Sequence, residues 1–273
     1  MSIDRRQVWR AALAALVVSG WLCGPGPGRA SAQTTMPQGG QVVQGNATIA
    51  SPSASQMVIT QSSQRAVVNW NGFSIGPGGV LQINQPNASS AILNRVTGSD
   101  LSVINGQLRS NGQVYLLNPH GVVIGPGGTI DTAAFLASVL HVSDQAFMAG
   151  GPMTFAGDST AGILNLGTIH ASTGDVALFG PAVANRGTID APNGTAALVS
   201  GSDILFAPGG RDAIYVKAPV AGASASVDNS GVIKAAQVEL KAAGSAYALA
   251  VNNSGLISAT AVKDVGGRVI LDA

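Results

Sequence analysis

Four heptapeptides decide the fold: Asn165-Leu166-Gly167-Thr168-Ile169-His170-Ala171, Asn185-Arg186-Gly187-Thr188-Ile189-Asp190-Ala191, Asn229-Ser230-Gly231-Val232-Ile233-Lys234-Ala235 and Asn253-Ser254-Gly255-Leu256-Ile257-Ser258-Ala259. They share the pattern Asn-x-Gly-[Thr/Val/Leu]-Ile-x-Ala. Their asparagines are spaced 20, 44 and 24 residues apart, and the middle interval reads as two periods. Short apolar stretches follow at 176–179, 196–199, 238–240 and 269–271. A period of ~22 with strands this short marks a solenoid. The segments are too short for solenoid helices, and leucine does not hold the fixed positions that leucine-rich repeats need.

The pattern predicts an all-β chain, a right-handed parallel β-helix (a single-stranded solenoid) with an N-terminal β cap. Each coil would pair with the next at ~4.8 Å. A narrow interior selects Ala, Val, Ile and Leu and excludes most aromatics. Turn glycines would supply positive φ. Stacked Asn165, Asn185, Asn229 and Asn253 would hydrogen-bond as a ladder. At ~22 residues per coil the chain after residue 32 makes about 11 coils, roughly 50 Å of stack.

Composition agrees. Of 273 residues 36 are glycine, 10% are charged, 4% are aromatic and 46% are hydrophobic. Disorder would need less apolar content and more charge. Collagen would need a three-residue glycine period. A coiled coil would need more than the single glutamate, Glu239. A formal charge of +1 lacks the basic stripe of a nucleic-acid binder.

Residues 1–32 read as a targeting segment. Arg5, Arg6 and Arg10 precede an apolar run at 11–22, a Gly/Pro breaker at 24–28 and the small-x-small site Ala30-Ser31-Ala32. This is the pattern of a secretory signal peptide cleaved after Ala32. The run is shorter than the ~20 residues that span a bilayer, so no stable membrane insertion is expected. Four of the 14 basic and one of the 13 acidic residues lie in this segment. The remainder carries a formal charge of −2. It also lacks cysteine, since Cys23 is the only one, and so forms no disulfide.

Catalytic patterns are sparse. His120, His141 and His170 have no metal-ligand spacing, and His170 occupies a variable repeat position that should face outward. No phosphate-binding loop occurs after residue 32. Gly127-Gly128-Thr129-Ile130-Asp131 is one loose match to a calcium-binding nonapeptide. No catalytic residue, cofactor or metal is assigned. The alternative is a polysaccharide-degrading β-helix enzyme of the pectate-lyase type. It would need carboxylates within ~5–10 Å of each other, with Asp175 and Asp190, or Asp203 and Asp212, stacked across coils.

Residues 33–150 are less repetitive. Ile75-Gly76-Pro77-Gly78-Gly79 and Ile124-Gly125-Pro126-Gly127-Gly128 are near copies, echoed by Pro208-Gly209-Gly210. The stretch 132–140 is read as a strand or a short helix. The blocks Asn69-Trp70-Asn71-Gly72-Phe73-Ser74-Ile75-Gly76, Ala91-Ile92-Leu93-Asn94-Arg95-Val96, Ile104-Asn105-Gly106-Gln107-Leu108, Val114-Tyr115-Leu116-Leu117-Asn118-Pro119-His120-Gly121 and Ala137-Ser138-Val139-Leu140-His141-Val142 carry a resemblance. In order and spacing over residues 42–210 they are similar to two-partner-secretion exoproteins, the family of filamentous haemagglutinin and the high-molecular-weight adhesins. His120 departs from the family's usual Asn-Pro-Asn-Gly turn.

The resemblance implies an exoprotein that is secreted through the periplasm to the cell surface of a Gram-negative bacterium. Its partner would be an outer-membrane β-barrel transporter with periplasmic recognition domains. The passenger would be an adhesin or haemagglutinin that binds a host or cell-surface receptor. The implied organisation is a signal peptide at 1–32, a secretion domain with cap and first coils at 33–210, and further coils at 211–273, the truncated start of a longer passenger. Asn69, Asn71, Asn94, Arg95, Asn118, Pro119 and Gly121 are the candidates for transporter recognition or for shaping the turns. Arg95 is a charge in a nearly uncharged region, and it would either meet a partner or tie a coil to the cap.

Overall fold

The computed structural model describes residues 35–207, 214–216, 226–242 and 251–259. The segment 1–32, Asp212, the Pro208-Gly209-Gly210 echo and the stretch 269–271 lie outside them.

The chain after the cap winds as a parallel β-helix with three faces per turn. The cap is β1 (Gln41–Gln44), antiparallel to a strand of the first turn, and β2 (Ala47–Ser53), antiparallel to the strand that follows it. The first turn is β3 (Gln56–Gln61), β4 (Arg65–Trp70) and Ile75, which bridges to the next turn. The second is β5 (Val80–Asn84), β6 (Ala91–Val96) and β7 (Ser102–Ile104), and the third is β8 (Gln107–Ser110), β9 (Gln113–Leu117) and β10 (Val122–Ile124). In the fourth, β11 (Thr129–Thr132) and β12 (Ala134–Ser138) are followed by an excursion before the third-face strand. That excursion carries the helix α1 (Asp144–Ala149) and β13 (Met153–Ala156), and β14 (Gly162–Asn165) completes the turn. The fifth turn is β15 (Thr168–Ala171), β16 (Val176–Gly180) and β17 (Ala182–Asn185). The sixth has β18 (Thr188–Ser200) running across a corner, a second excursion with β19 (Asp203–Phe206) and β20 (Ile214–Val216), and then β21 (Ser226–Asn229). The seventh is β22 (Val232–Ala242) and β23 (Val251–Asn253), and β24 (Leu256–Ala259) starts the next.

The described residues thus hold seven turns. The expected eleven came from dividing all of 33–273 by a period of ~22, with the 44-residue interval read as two periods. Instead Asn185 pairs directly with Asn229, and Ile189 with Ile233. The 44-residue interval is one turn with an insertion, and so is the 39-residue interval between the paired Ile130 and Ile169. The stretch 132–140 forms β12 in its centre, not a helix, because its alternate residues Phe135 and Ala137 point into the coil.

Leu81, Leu108, Ile130, Ile169, Ile189 and Ile233 stack in register at 0% exposure. Few aromatics fit inside, as expected: Trp70 and Phe73 fill the capped end, and Phe135 sits mid-coil. A second core lies outside the coil. The two excursions contribute a three-stranded antiparallel sheet, β13-β19-β20, which packs on the face built from β4, β6, β9, β12, β16 and β18. The residues of those strands that point away from the coil are therefore apolar too. In β16 all five residues are buried, which is the run expected of a strand covered on both sides.

Candidate recognition site

The nominated residues lie along the first three turns, and alternation along each strand divides them. In β6 Asn94 points inward with Ile92 and Val96, and it is fully buried. The Trp70 indole N–H donates to its Oδ1 at 3.0 Å, and its Nδ2 donates to the Tyr115 carbonyl at 3.4 Å. Asn94 thus satisfies the polar atom of a buried tryptophan, as such an atom requires. Arg95, one residue on, points outward. Its Nη2 lies 2.6 Å from Asp144 Oδ1 and donates to the Val142 carbonyl at 2.9 Å, with 17% of the side chain exposed.

Arg65 repeats the arrangement one turn earlier. It donates to the Phe147 carbonyl at 3.0 Å and lies 5.1 Å from the Phe147 ring centroid. Two guanidinium groups therefore clamp the two ends of α1 to the coil. Arg65 was not among the nominated residues, and neither was α1. Ser143, whose hydroxyl accepts from the Ala146 N–H, and Gly150 at φ 73° cap the helix. That Ser…Gly spacing was its sequence signal.

Asn69 stands beside Arg95 in register and is half-buried, with its Oδ1 lacking a partner among the described residues. Asn71 is exposed, and its backbone N–H donates to the Gln38 carbonyl at 3.0 Å, which pins the start of the cap. Asn118 is buried. Its Nδ2 donates to the Asp100 carbonyl and to Ser102 Oγ, both at 2.9 Å, and its Oδ1 accepts the His120 N–H at 2.9 Å. The result is an Asx turn. Pro119 is half-buried and its carbonyl accepts from Ser159 Oγ at 2.6 Å. Gly121 sits at φ 111°, where a side chain is strained. His120 itself is exposed, so the departure at this position leaves the turn intact.

Further along, the asparagines form a chain of hydrogen bonds. Asn165 donates to Asn185 at 2.8 Å, Asn185 to Asn229 at 2.8 Å and Asn229 to Asn253 at 2.7 Å. The repeat glycines were expected to supply positive φ, but Gly167, Gly187, Gly231 and Gly255 do not adopt it. They form a column with Gly128 in which a Cβ on any of them would overlap the carbonyl oxygen of the glycine one turn before. Those same carbonyls accept the N–H of Thr168, Thr188, Val232 and Leu256. Close backbone approach at a corner, not handedness, requires glycine there.

His170 faces outward as expected, its Nδ1 lying 3.1 Å from Asp190 Oδ2 on the next turn. Asp190 stacks between His170 and Lys234, whereas Asp175 lies on another face, where it accepts the Thr195 N–H at 2.8 Å. The two carboxylates therefore do not converge. Burial raises the Asp175 carboxyl above its ordinary value, opposed by the Thr195 N–H. Burial also pushes the Tyr115 hydroxyl up to about 12, opposed by Arg65. Among the described residues no group of three potential metal ligands occurs, and no helix is long and apolar enough to cross a membrane.

The chain is 35% identical over 249 residues to the heme/hemopexin-binding protein of Haemophilus influenzae strain Rd, matching 87% of this chain and 27% of that protein. It is 41% identical over 102 residues to another Haemophilus influenzae heme/hemopexin-binding protein, covering 37% of this chain and 11% of that one. The chain thus spans about a quarter or less of the curated relatives it matches. The crystal structure of the HMW1 secretion domain from Haemophilus influenzae superposes with a TM-score of 0.72 at 33% identity, covering 82% of this chain and 59% of that one. The filamentous hemagglutinin secretion domain superposes with a TM-score of 0.53 at 14% identity, covering 82% of this chain and all of that one, and so shares the fold. The TPS secretion domain family model matches residues 33–272. The chain belongs to the TPS secretion domain family.

Proposed function

We propose that residues 1–32 direct the chain into the periplasm as a signal peptide, where soluble domains of the transporter recognise residues 33–210 and the coil assembles outside the cell. The observation that supports this reading is the chain of asparagine hydrogen bonds between successive turns. The Asn165–Asn185–Asn229–Asn253 chain, buried but for Asn253, gains one hydrogen bond per added turn, so folding propagates along the coil. The chain after residue 32 has no cysteine that could cross-link it in the periplasm.

Recognition of the unfolded chain would read Asn94 and Arg95, which the folded domain occupies internally or in the α1 clamp. Recognition of a folded domain would be left with Asn71 and the Pro119-His120 turn on the surface. The downstream passenger is an adhesin-like surface protein with a host or cell-surface receptor. The relatives' names denote secretion domains and binding proteins, and the carboxylate geometry gives the enzyme alternative no support.

The test is transporter-dependent secretion. The tagged chain is expressed in a Gram-negative host with and without its cognate transporter, and medium and periplasm are assayed. Appearance in the medium only with the transporter supports the reading, and retention in both hosts refutes it. Asn94→Ala and Arg95→Ala are expected to block export, and Asn71→Ala to leave it unchanged, if the unfolded chain is read. The reverse pattern assigns recognition to the folded surface.

A further inference from the structure

Three features of the described surface fall outside the secretion reading. One is the open edge of β2. Another is the outward column Arg109, Asp131, His170, Asp190 and Lys234 along the β8, β11, β15, β18 and β22 face. The hollow beside the start of β2, lined by Val42, Asn46, Ala47, Thr48 and Thr60, has no charged side chain in its lining, and the column holds no concave site. The third is a cavity of about 300 Å³ between the outer face of the coil and the second excursion.

Its floor is set by register. The outward positions run Tyr115, Leu136, Ala177 and Ala197. The shrinkage from Tyr115 to Ala177, together with Ala134 and Gly174, leaves the space. One wall is Phe206 of β19, held edge-on by Phe179 at 5.6 Å and Phe155 at 6.4 Å. Tyr115 lines the opposite side, fixed by Phe147 at 5.2 Å. Its ring is buried at 4% exposure, and its hydroxyl, which makes no hydrogen bond among the described residues, keeps contact with the cavity space.

The remaining polar groups are similarly half-used. Asp175 commits Oδ1 to the Thr195 N–H, which leaves Oδ2. Asn193 donates Nδ2 to the Ser172 carbonyl, which leaves Oδ1 to accept. Gln113 lines the cavity with no side-chain hydrogen bond among the described residues.

The chemistry of the lining selects the ligand. No Lys, Arg or His lines the cavity, so an anion has no counter-charge. Asp175 is the one carboxylate in the lining, its neighbour Glu239 is engaged by Lys241 at 2.9 Å, and a single carboxylate does not hold a divalent cation. A purely apolar guest would strand the phenol, the amides and the carboxylate. A molecule with several neutral hydroxyls and an apolar ring face satisfies all of them. The hydroxyls accept from Tyr115 and donate to Asp175 and Asn193, and the C–H face lies on Phe206. The volume, at the lower end of the ligand-pocket range of about 300–1,000 Å³, holds one ring and not a polymer.

We propose that this cavity binds a single neutral sugar unit. The function is independent of export, since the cavity exists only once the excursions have packed on the folded coil.

The test uses the full chain purified after export and a panel of methyl glycosides of neutral hexoses and N-acetylhexosamines. Binding is followed by saturation-transfer NMR and calorimetry. At least one glycoside is expected to bind in the millimolar range or tighter, and Tyr115→Phe, Asp175→Asn and Gln113→Ala are each expected to weaken it ~10-fold or more, with unchanged circular dichroism. Gln113→Ala touches only a half-buried side chain, so it carries the test should either other variant misfold. Absence of binding across the panel overturns the proposal, leaving a hydrated cavity. So does binding that all three variants leave unchanged.

Discussion

The two sides of the same strands obey different rules. Facing inward, the coil repeats itself: Ile130, Ile169, Ile189 and Ile233 stack on one another, with the asparagine chain and the glycine column at the corner. Facing outward on the β9–β12–β16–β18 face, the columns change from turn to turn. Tyr115, Leu136 and Ala177 succeed one another, and Phe179 follows Ser138. Four of the six phenylalanines (Phe147, Phe155, Phe179 and Phe206) belong to this outer core. The inner side is constrained by translation along the coil, so each turn must resemble the last. The outer side is constrained only by what is laid over it, and the excursions that cover it occur once each.

The sharpest way to break the inner rule is Gly187→Ala. The added Cβ meets the Gly167 carbonyl, a backbone atom that cannot swing aside and that already accepts the Thr188 N–H. The expected cost is about 3 kcal/mol or more, with the coil from the sixth turn onward losing protection in hydrogen exchange. A stability equal to that of the parent chain would mean that the corner has slack and that the glycine column is not required.

Phe179→Ala attacks the outer core. Phe179 is fully buried against Phe155 and Phe206 at 5.4 and 5.6 Å, and truncating a buried phenylalanine costs about 3–5 kcal/mol. The effect is expected to be local. Amides of β13 and β19 should lose protection while those of β14 and β15 keep it, since the inner stack is untouched. Loss of protection across both cores together would show that the two sides fold as one unit and would undo the comparison.

Asn185→Ala is expected to cost about 2–4 kcal/mol in urea unfolding. It removes the acceptor of one Asn165 N–H, whose Nδ2 keeps only the Thr188 carbonyl at 3.3 Å, and the donor to Asn229 Oδ1, both in a buried site, and each lost partner costs about 1–3 kcal/mol. Asn253→Ala, at the exposed end of the chain of bonds, should cost clearly less. Equal costs at the two positions would mean that the ladder is not cooperative along the coil.

This asymmetry also explains what was legible in the sequence. The inner side writes itself into a repeat, so the heptapeptides revealed the fold, the asparagine chain and the outward placement of His170. A repeat cannot announce an insertion. The 44 residues between Asn185 and Asn229 therefore looked like two turns, although they are one turn with β19 and β20 inserted. The outer core leaves no period at all, because residues such as Leu117, Ser138 and Phe179 are set by contacts far apart in the chain. Arg95 illustrates the limit for the candidate site. Its isolation among uncharged residues marked it as special, but the sequence left open whether it meets another protein or holds part of its own chain. The partner seen here, Asp144, lies 49 residues away on a helix whose only sequence signal was its caps.

The smallest expected effect isolates one charge on the outer side. Burial raises the Asp175 carboxyl above its ordinary 3.8, so the folded state holds its proton at pH values where the unfolded chain has released it. The sign follows: where the folded state binds more protons, stability falls as pH rises. The Asp175 contribution is therefore full below pH 3.8 and is lost as pH climbs through the raised value. Asp175→Asn keeps an oxygen for the Thr195 N–H and removes the buried charge. The variant should match the parent chain at low pH and exceed its stability at neutral pH, read as the difference in urea midpoint across a pH series. A variant less stable at neutral pH would show that the carboxylate is stabilised where it sits, and that the outer face tolerates charge better than its burial implies. A pH-independent difference would trace the effect to packing around residue 175. The inner columns have no titratable group among the described residues at which the same experiment could be run, so a pH-dependent difference of this kind belongs to the outer side alone.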